Sequence, residues 1–289
     1  MQVHHHVVEA NGARFHVAEV GTGDPLLLLH GWPEFWATWQ PIMDRLCGRF
    51  RLFAPDLRGF GESDKPAGPF GPAHHAADMA ALIEALGVAP VGIVAHDVGA
   101  SVAQELARLR PDLVRALFFF NLVYPGIGAR FTTPDHLRFV WHTWFNQSEL
   151  APTLLRSSPD GIRLYVEHLV RLWAHRDDAV DDAFIAALAE NLARPGNLEG
   201  GFDYYRGAAE ERARSSASGE GPAPIGTPTC VRWTDGDRAL PVAWSDRLPE
   251  FFTDLDFAVF AEVGHFPHHE QTDRAAAEIA GFFDRLGSQ

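Results

Sequence analysis

The chain has 289 residues, 46% of them hydrophobic, and its 24 lysines and arginines against 38 aspartates and glutamates give a net charge of −14. That length suits one large domain or two small ones and is sufficient for a packed core. A net negative chain is a poor binder of nucleic acid, because affinity for phosphate backbones comes from clustered Lys and Arg. No apolar run approaches the ~18–20 residues that a membrane-spanning helix needs. We therefore expect a globular protein that binds neither nucleic acid nor a membrane.

The N-terminal residues and the two cysteines both favour an intracellular location. Residues 1–10 lack the basic and apolar regions of a secretion signal. Cys47 and Cys230 are the only cysteines, far apart and outside any CxxC spacing, so the sequence predicts neither a zinc site nor a disulfide framework. The expected location is the reducing cytoplasm.

The first part of the chain alternates short apolar runs with segments of helical periodicity, which is typical of a mostly parallel sheet covered by helices. Asn11-Gly12 supplies the positive φ of a tight turn and predicts an opening hairpin. In chain order, we predict strands at 3–9, 14–20, 26–29, 51–54, 91–95 and 114–122, and helices at 35–46, 79–86 and 102–109.

The alternation stops after residue 123. Helical patterns dominate from 124 to 214, at 137–145, 162–173, 179–192 and 202–212, and a loop is predicted at 215–226. Alternation then resumes with segments at 229–233, 244–252, 257–260 and 274–283. We predict one α/β domain made of residues 1–123 and 227–289, interrupted by a helical insert and its return loop at 124–226. Ligand sites favour such boundaries between structural units.

The segment GIVAHDVGA, residues 92–100, carries the most informative chemistry. Small residues lie two positions before and two positions after Asp97, at the turn from a predicted strand into a predicted helix. This pattern is typical of a nucleophile elbow, where the central residue is strained and its side chain is exposed beside the helix N-terminus. The alternative interpretation is that Asp97 only caps the helix.

Three further motifs, with the elbow, resemble the α/β-hydrolase superfamily. LHGWPE (29–34) resembles its His-Gly-x-Pro loop, DLRGFGES (56–63) resembles the signature that follows, and GHFP (264–267) supplies a histidine before the last helix. The order of nucleophile, insert, acid and histidine fits the triad order of that superfamily. The resemblance spans nearly the whole chain. It implies an α/β-hydrolase fold with a mostly parallel, eight-stranded sheet flanked by helices, and an inserted all-helical cap.

An aspartate at the elbow limits the reactions that this site could catalyse. A carboxylate attacks an sp3 carbon and forms an ester on the enzyme, which water then hydrolyses, whereas esterases use serine. Epoxide hydrolases and haloalkane or haloacetate dehalogenases both have this aspartate. Val98 stands where dehalogenases commonly have tryptophan, and residues 98–101 lack the arginines of fluoroacetate dehalogenases. HGWPEFW (30–36) resembles the epoxide hydrolase form of its loop, so we predict an epoxide hydrolase, with a dehalogenase as the alternative.

Two segments of the insert resemble the motifs that carry the epoxide-polarising tyrosines. GGFDYYR (200–206) implies that Tyr205 hydrogen-bonds the epoxide oxygen. WHTWFNQ (141–147) has His142 where tyrosine is usual, a pairing that a minority of epoxide hydrolases use. A neutral imidazole donates a hydrogen bond from either tautomer, so this role does not require protonation. The alternatives are that both residues only pack the insert, or that His142 and nearby tryptophans hold a halide.

The triad acid has two candidate positions. Some relatives place it 24 residues after the nucleophile, which here is Asn121 (121 − 97 = 24), and an amide cannot act as a carboxylate. The other position follows the next strand, where Asp237 precedes His265 by 28 residues (265 − 237 = 28). Asp235 remains open as an alternative, and either aspartate could be a turn residue.

The resemblance implies a division of roles. Asp97 forms the ester, Tyr205 and His142 stabilise the opened oxygen, and His265, oriented by Asp237, activates water. The backbone N–H groups of Trp32 and Val98 are expected to form the oxyanion hole. The residues expected to line the substrate and water site are His30, Glu34, Phe35, Trp141 and Trp144, with Glu34 helping to place the water.

No metal ion or organic cofactor is expected, since neither an HExxH spacing nor a phosphate-binding glycine loop occurs in its required context. The expected partners are a small apolar epoxide and water, with a homodimer as the assembly considered. A catalytically silent ligand receptor on the same fold is the weaker alternative, and the complete set of Asp97, His265 and Asp237 argues against it.

Overall fold

A single sheet organises the chain. The structure is a computed structural model that describes residues 2–218 and 221–287. Among these residues, eight strands are ordered β1-β2-β4-β3-β5-β6-β7-β8. They are β1 (His4–Ala10), β2 (Ala13–Val20), β3 (Asp24–Leu29), β4 (Phe50–Pro55), β5 (Val91–Asp97), β6 (Val114–Leu122), β7 (Thr229–Thr234) and β8 (Leu255–Phe260). β2 pairs antiparallel with β1 and β4, and the other pairs are parallel, which confirms the predicted mostly parallel, eight-stranded sheet.

Eleven α-helices are found within the described residues. They are α1 (Gln40–Leu46), α2 (Pro72–Leu86), α3 (Val98–Leu109), α4 (Pro134–Val140), α5 (His142–Phe145), α6 (Leu150–Arg156), α7 (Gly161–Trp173), α8 (Asp182–Ala193), α9 (Asn197–Ser218), α10 (Pro267–Glu270) and α11 (Thr272–Gly287). Short 3-10 helices lie at Trp36–Trp39, Pro111–Leu113, Pro125–Thr132 and Val242–Glu250. No helix in the described part of the chain is both long and apolar enough to cross a membrane.

The centre of the sheet is apolar on both faces. Leu26 and Leu28 of β3 pack with α1 and α11 on one side, while Leu27 and Leu29 belong to the core shared with α2, α3 and the helical insert. All four leucines are fully buried. An unbroken apolar run is what a parallel strand covered on both faces requires.

The chain between β6 and β7 forms no named strand in its described residues, as the sequence predicts, and contains α4 to α9. The division at residues 123/124 and 226/227 remains a prediction. Two predictions for this segment are wrong. The predicted helix 137–145 is two helices, because the hydrogen-bond pattern restarts at Trp141, whose carbonyl accepts from Trp144 N and Phe145 N (both 3.2 Å). α9 runs to Ser218, so the first part of the predicted loop 215–226 is helical.

The extension of α9 has a local cause. Alanine and arginine are strong helix formers, and serine is only modestly poorer. Glu210 and Arg214, spaced i,i+4, approach to 3.7 Å on its surface. Residues 219 and 220 of the predicted loop lie outside the described residues.

The carboxyl ends of the parallel strands bring the predicted motifs to one edge. The His-Gly loop follows β3, Asp97 ends β5, Asp237 follows β7, and His265 follows β8. In open α/β sheets this edge is where ligands bind. The topology therefore brings together residues that are up to 235 positions apart between His30 and His265 (265 − 30 = 235).

Candidate active site

Asp97 occupies a strained backbone conformation between β5 and α3. Its φ and ψ are 50° and −118°, in a region that a non-glycine residue rarely adopts. A Cβ at position 99 would lie 2.5 Å from Leu29 O, so the turn requires glycine there. The Asp97 carboxylate makes no helix-capping hydrogen bond. Instead, Trp32 N donates to its Oδ2 at 3.0 Å. The geometry is therefore that of the elbow, and the capping interpretation is wrong.

His265 and Asp237 form a buried pair. His265 Nδ1 lies 2.7 Å from Asp237 Oδ2, and both side chains are buried. The other oxygen, Asp237 Oδ1, accepts from the backbone N–H groups of Ala239 (2.7 Å) and Leu240 (3.1 Å). Burial lowers the pKa of His265, but the charges of Asp237 and Asp97 and the hydrogen bond to Asp237 outweigh it and raise the pKa to about 9.

The other two positions considered for the triad acid, Asn121 and Asp235, do not pair with His265. Asn121 is buried, and its amide donates to Asp237 Oδ2 at 2.9 Å and to Thr234 Oγ1 at 2.8 Å. It therefore supports the carboxylate that pairs with histidine. Asp235 accepts from Glu262 N at 2.7 Å on the exposed side of the same turn, away from His265.

Tyr205 and His142 meet over Trp32. The His142 ring stacks on Trp32 with centroids 5.6 Å apart, and Tyr205 approaches both rings edge-on at 5.6 Å. Burial lowers the pKa of His142 to about 3, helped by the charge of His265, and burial with the charge of Asp97 raises the pKa of Tyr205 well above its ordinary value. Both groups are thus neutral hydrogen-bond donors at neutral pH. In the described part of the chain, His142 Nδ1 has no hydrogen-bond partner.

Trp173, at the end of α7, contacts both His142 of the insert and His265, and the sequence gives no signal for it. Its ring lies 4.7 Å from His142 and 5.2 Å from His265, centroid to centroid. Its indole N–H donates to Phe139 O at 2.8 Å, and its carbonyl accepts from His265 N at 3.0 Å. Trp173 is 2% exposed and packs on His265, which is also 2% exposed.

Two other buried tyrosines, Tyr204 and Tyr165, lie near the site and were not predicted from the sequence. Tyr204 precedes Tyr205 and lies with its hydroxyl 3.5 Å from Val98 O, a long donor contact. Tyr165 of α7 packs edge-on to Trp32 at 5.7 Å, and its hydroxyl donates to Asn146 Oδ1. Apolar residues at steps of three and four mark α7 as amphipathic, but this spacing does not tell which of its buried residues faces the site.

Several residues expected to line the site do not face it. Trp144 is 44% exposed and its ring approaches Phe131 (6.4 Å), because α5 turns it to the opposite side from His142. His30 has both ring nitrogens paired, Nδ1 with Gly31 O at 2.8 Å and Nε2 as acceptor from Leu57 N at 3.1 Å. His30 therefore holds two loops together and has no nitrogen left for a substrate.

The other three expected lining residues differ among themselves. Trp141 is partly buried and packs on Tyr165 at 5.7 Å, and Phe35 is partly buried beside Trp36. Glu34 is fully buried, and its two oxygens accept four hydrogen bonds from protein groups. A carboxylate has about four acceptor positions, and protein groups occupy four here. The expected part of Glu34 in placing the attacking water stays a prediction that these contacts do not support.

Comparison with known proteins identifies the family of this chain. The alpha/beta hydrolase fold family matches residues 24–272. The chain is 32% identical over 221 residues to the soluble epoxide hydrolase of Corynebacterium sp. (strain C12), covering 75% of this chain and 76% of that protein. It is 28% identical to an epoxide hydrolase of Caballeronia sordidicola, covering 95% and 92% of the two chains.

A solved structure of the epoxide hydrolase CorEH superposes with a TM-score of 0.86 at 26% identity, covering 99% of this chain and 100% of that chain. The chain therefore belongs to the α/β-hydrolase fold family and, within it, to the family of the epoxide hydrolases. Membership of that family makes it a hydrolase.

The pH dependence of stability reports on the His265–Asp237 pair. The folded-state pKa of about 9 exceeds the ~6.5 of an unfolded histidine, so the contribution is complete below about pH 6.5 and is lost as the pH rises to about 9. The expected slope is about 1.4 kcal/mol per pH unit at its steepest. Asp237→Asn removes the main favourable charge, so its free energy of unfolding should fall less steeply over that range. Urea unfolding at several pH values measures both slopes, and parallel slopes would contradict the assignment.

Proposed function

We propose that this protein adds water to a small or medium-sized apolar epoxide through an ester on Asp97. The observation that carries the proposal is the pair of neutral, buried donors, Tyr205 and His142, enclosed with Trp32 above a strained aspartate. An opened epoxide oxygen stays attached to the substrate and needs a hydrogen bond or proton there. A halide leaves as a separate anion and needs no proton.

In the first half-reaction, an Asp97 oxygen attacks a ring carbon. The C–O bond of the epoxide breaks, and its electron pair moves to the oxygen, which Tyr205 and His142 stabilise. The raised pKa of Tyr205 keeps the hydroxyl protonated until the alkoxide forms. The Trp32 N–H, 3.0 Å from Asp97 Oδ2, holds the carboxylate in place for the attack.

In the second half-reaction, water attacks the ester carbonyl carbon and His265 takes its proton. Formation of the ester removes the negative charge of Asp97, which is one of the causes of the raised pKa of His265. The pKa of His265 therefore falls when a base is needed. Asp237 stabilises the imidazolium, and the N–H groups of Trp32 and Val98 stabilise the oxyanion. Collapse of the tetrahedral intermediate breaks the bond between the Asp97 carbonyl carbon and the ester oxygen. The proton that His265 took and the proton still on the added hydroxyl end on the two oxygens of the substrate, so the diol leaves and Asp97 is again a carboxylate.

A dehalogenase remains the second candidate, because the buried indole N–H of Trp32 has no hydrogen-bond partner among the described residues and such donors can hold a halide. Styrene oxide and 1-chlorobutane separate the two. We expect diol from the epoxide and no chloride release. Chloride release without diol formation would favour the dehalogenase.

The location and assembly stay predictions. Cys47 and Cys230 are both buried free thiols, which supports a reducing compartment such as the cytoplasm. The homodimer rests on no contact within this chain.

Replacing the base should separate the two half-reactions. His265→Gln leaves Asp97 able to open the ring but removes the group that activates water, so the ester should accumulate. Intact mass after incubation with styrene oxide should show the protein plus one substrate. Asp97→Asn should show no adduct, with mass also used to exclude deamidation back to Asp. A folded His265→Gln variant that binds styrene oxide without forming an adduct would contradict this division.

The donor pair should control ring opening. Removing one preorganised donor typically costs about 10²–10³ in rate, so Tyr205→Phe and His142→Phe should each slow ester formation by roughly that factor. His142→Tyr, which replaces one neutral donor by another, should retain much more activity. Rapid-quench measurement of ester formation distinguishes this from a packing role, under which both Phe variants would react at the wild-type rate.

A further inference from the structure

A buried cluster of Glu34, His96 and His268 lies behind the catalytic residues. All three side chains have no exposed area. Their three segments are the loop after β3, the end of β5 and the short helix α10. The three rings of His96, His265 and His268 are in contact, with the His96 centroid 4.6 Å from His265 and 4.9 Å from His268.

Glu34 is the centre of this cluster. Its Oε2 accepts from Gly31 N at 2.8 Å and lies 3.1 Å from His96 Nδ1. Its Oε1 accepts from Thr38 Oγ1 at 2.7 Å and lies 2.8 Å from His268 Nε2. Burial raises the pKa of Glu34, but His268 and His96 outweigh it and hold the pKa well below its usual value. Glu34 is therefore an anion that accepts from both histidines.

His96 connects Glu34 to the backbone of His265. Its second ring nitrogen, Nε2, lies 2.7 Å from the backbone carbonyl of His265. An ionised Glu34 and a backbone carbonyl are both hydrogen-bond acceptors, and the His96 ring lies between them. The His96 side chain thus joins the loop that carries Glu34 and the Trp32 N–H to the segment that carries His265.

His268 makes the second connection between the same two segments. It lies three residues after His265, and its Nε2 reaches Glu34 directly, while its Nδ1 has no partner among the described residues. Among the described residues, Glu34 is the one carboxylate that His268 contacts, and this contact joins the segment of His265 to the loop that carries the Trp32 N–H. The same Nε2 also lies 2.8 Å from Thr38 Oγ1. The mechanism above uses neither the ring of His268 nor that of His96.

We propose that His268 is a positioning residue for ester hydrolysis. Through its contact with Glu34, it keeps His265 aligned with the Trp32 N–H. This rests on the proposed function, because it assigns the effect to the second half-reaction. Ring opening depends on Asp97, Tyr205, His142 and the Trp32 N–H. His268 touches none of these groups, and ring opening does not use His265. Ester hydrolysis depends on the alignment of the two segments that His268 joins.

The test compares four variants in single-turnover reactions with styrene oxide, following ester formation and ester hydrolysis separately. His268→Gln keeps an amide donor near the position of Nε2, whereas His268→Asn places its amide too short to reach Glu34. His268→Leu removes the donor entirely. His16→Leu is the matched control, because His16 also pairs with a buried carboxylate, Asp56, at 2.8 Å, but contacts none of the catalytic side chains.

We expect His268→Asn and His268→Leu to slow ester hydrolysis about tenfold or more, since small misplacements at a reacting centre can cost about 10²-fold. Ester formation should change less than about threefold by the same reasoning, so the ester accumulates. His268→Gln should retain most of the hydrolysis rate, and His16→Leu should leave the ratio of the two rates unchanged. Should His268→Leu fail to fold, the comparison of Gln with Asn still decides the outcome.

Equal rates for the Gln and Asn variants, or an equal slowing of both half-reactions, would overturn the positioning role. The side chains of Glu34, His96 and His268 offer ligand atoms within 4.8 Å of one another. Stoichiometric zinc that the wild-type protein retains and His268→Leu loses would make the cluster a metal site, and would also overturn the positioning role. A wild-type protein that forms neither ester nor diol would instead overturn the proposed function.

Discussion

The close approach of the β3 loop to the turn at Asp97 is the constraint on which the site depends. A side chain at position 99 would collide with Leu29 O, and one at position 31 would lie 2.9 Å from Asp97 Cβ. Glycine at both positions lets the two backbones come together. The Trp32 N–H then reaches the Asp97 carboxylate, and the strained φ of Asp97 is maintained by its surroundings rather than by its own preference.

Charge is distributed around this contact in a way that suits two consecutive steps. Asp237, Asp97 and Glu34 all raise the pKa of His265, to about 9, so at neutral pH His265 is protonated beside the Asp97 carboxylate. Neutralising Asp97 by esterification removes one of the three charges. Above this layer, the aromatic enclosure of Trp32, Trp173 and Tyr205 restricts water, which strengthens hydrogen bonds to developing charge.

The local signals in the sequence were sufficient for the sheet and for Asp97, because strands and the elbow depend on residues near one another in the chain. The strand at 114–122 has the predicted limits, and the others differ by a few residues at their ends. The Asp237 position needed the resemblance to a family. Trp173 and His268 could not be predicted, since their roles depend on contacts with residues far away in sequence. Trp144 was placed wrongly because a motif does not specify which side of a four-residue helix faces inward.

The central claim is that a carboxylate oxygen of Asp97 becomes part of the product. A single-turnover reaction with excess protein in oxygen-18 water tests it most directly. The first turnover should release diol that carries oxygen from the protein, while the label enters the Asp97 carboxylate, where peptide mass spectrometry can locate it. A later turnover should then transfer the label to the diol. Labelled diol in the first turnover, with no label in Asp97, would show direct attack of water on the epoxide and contradict the account.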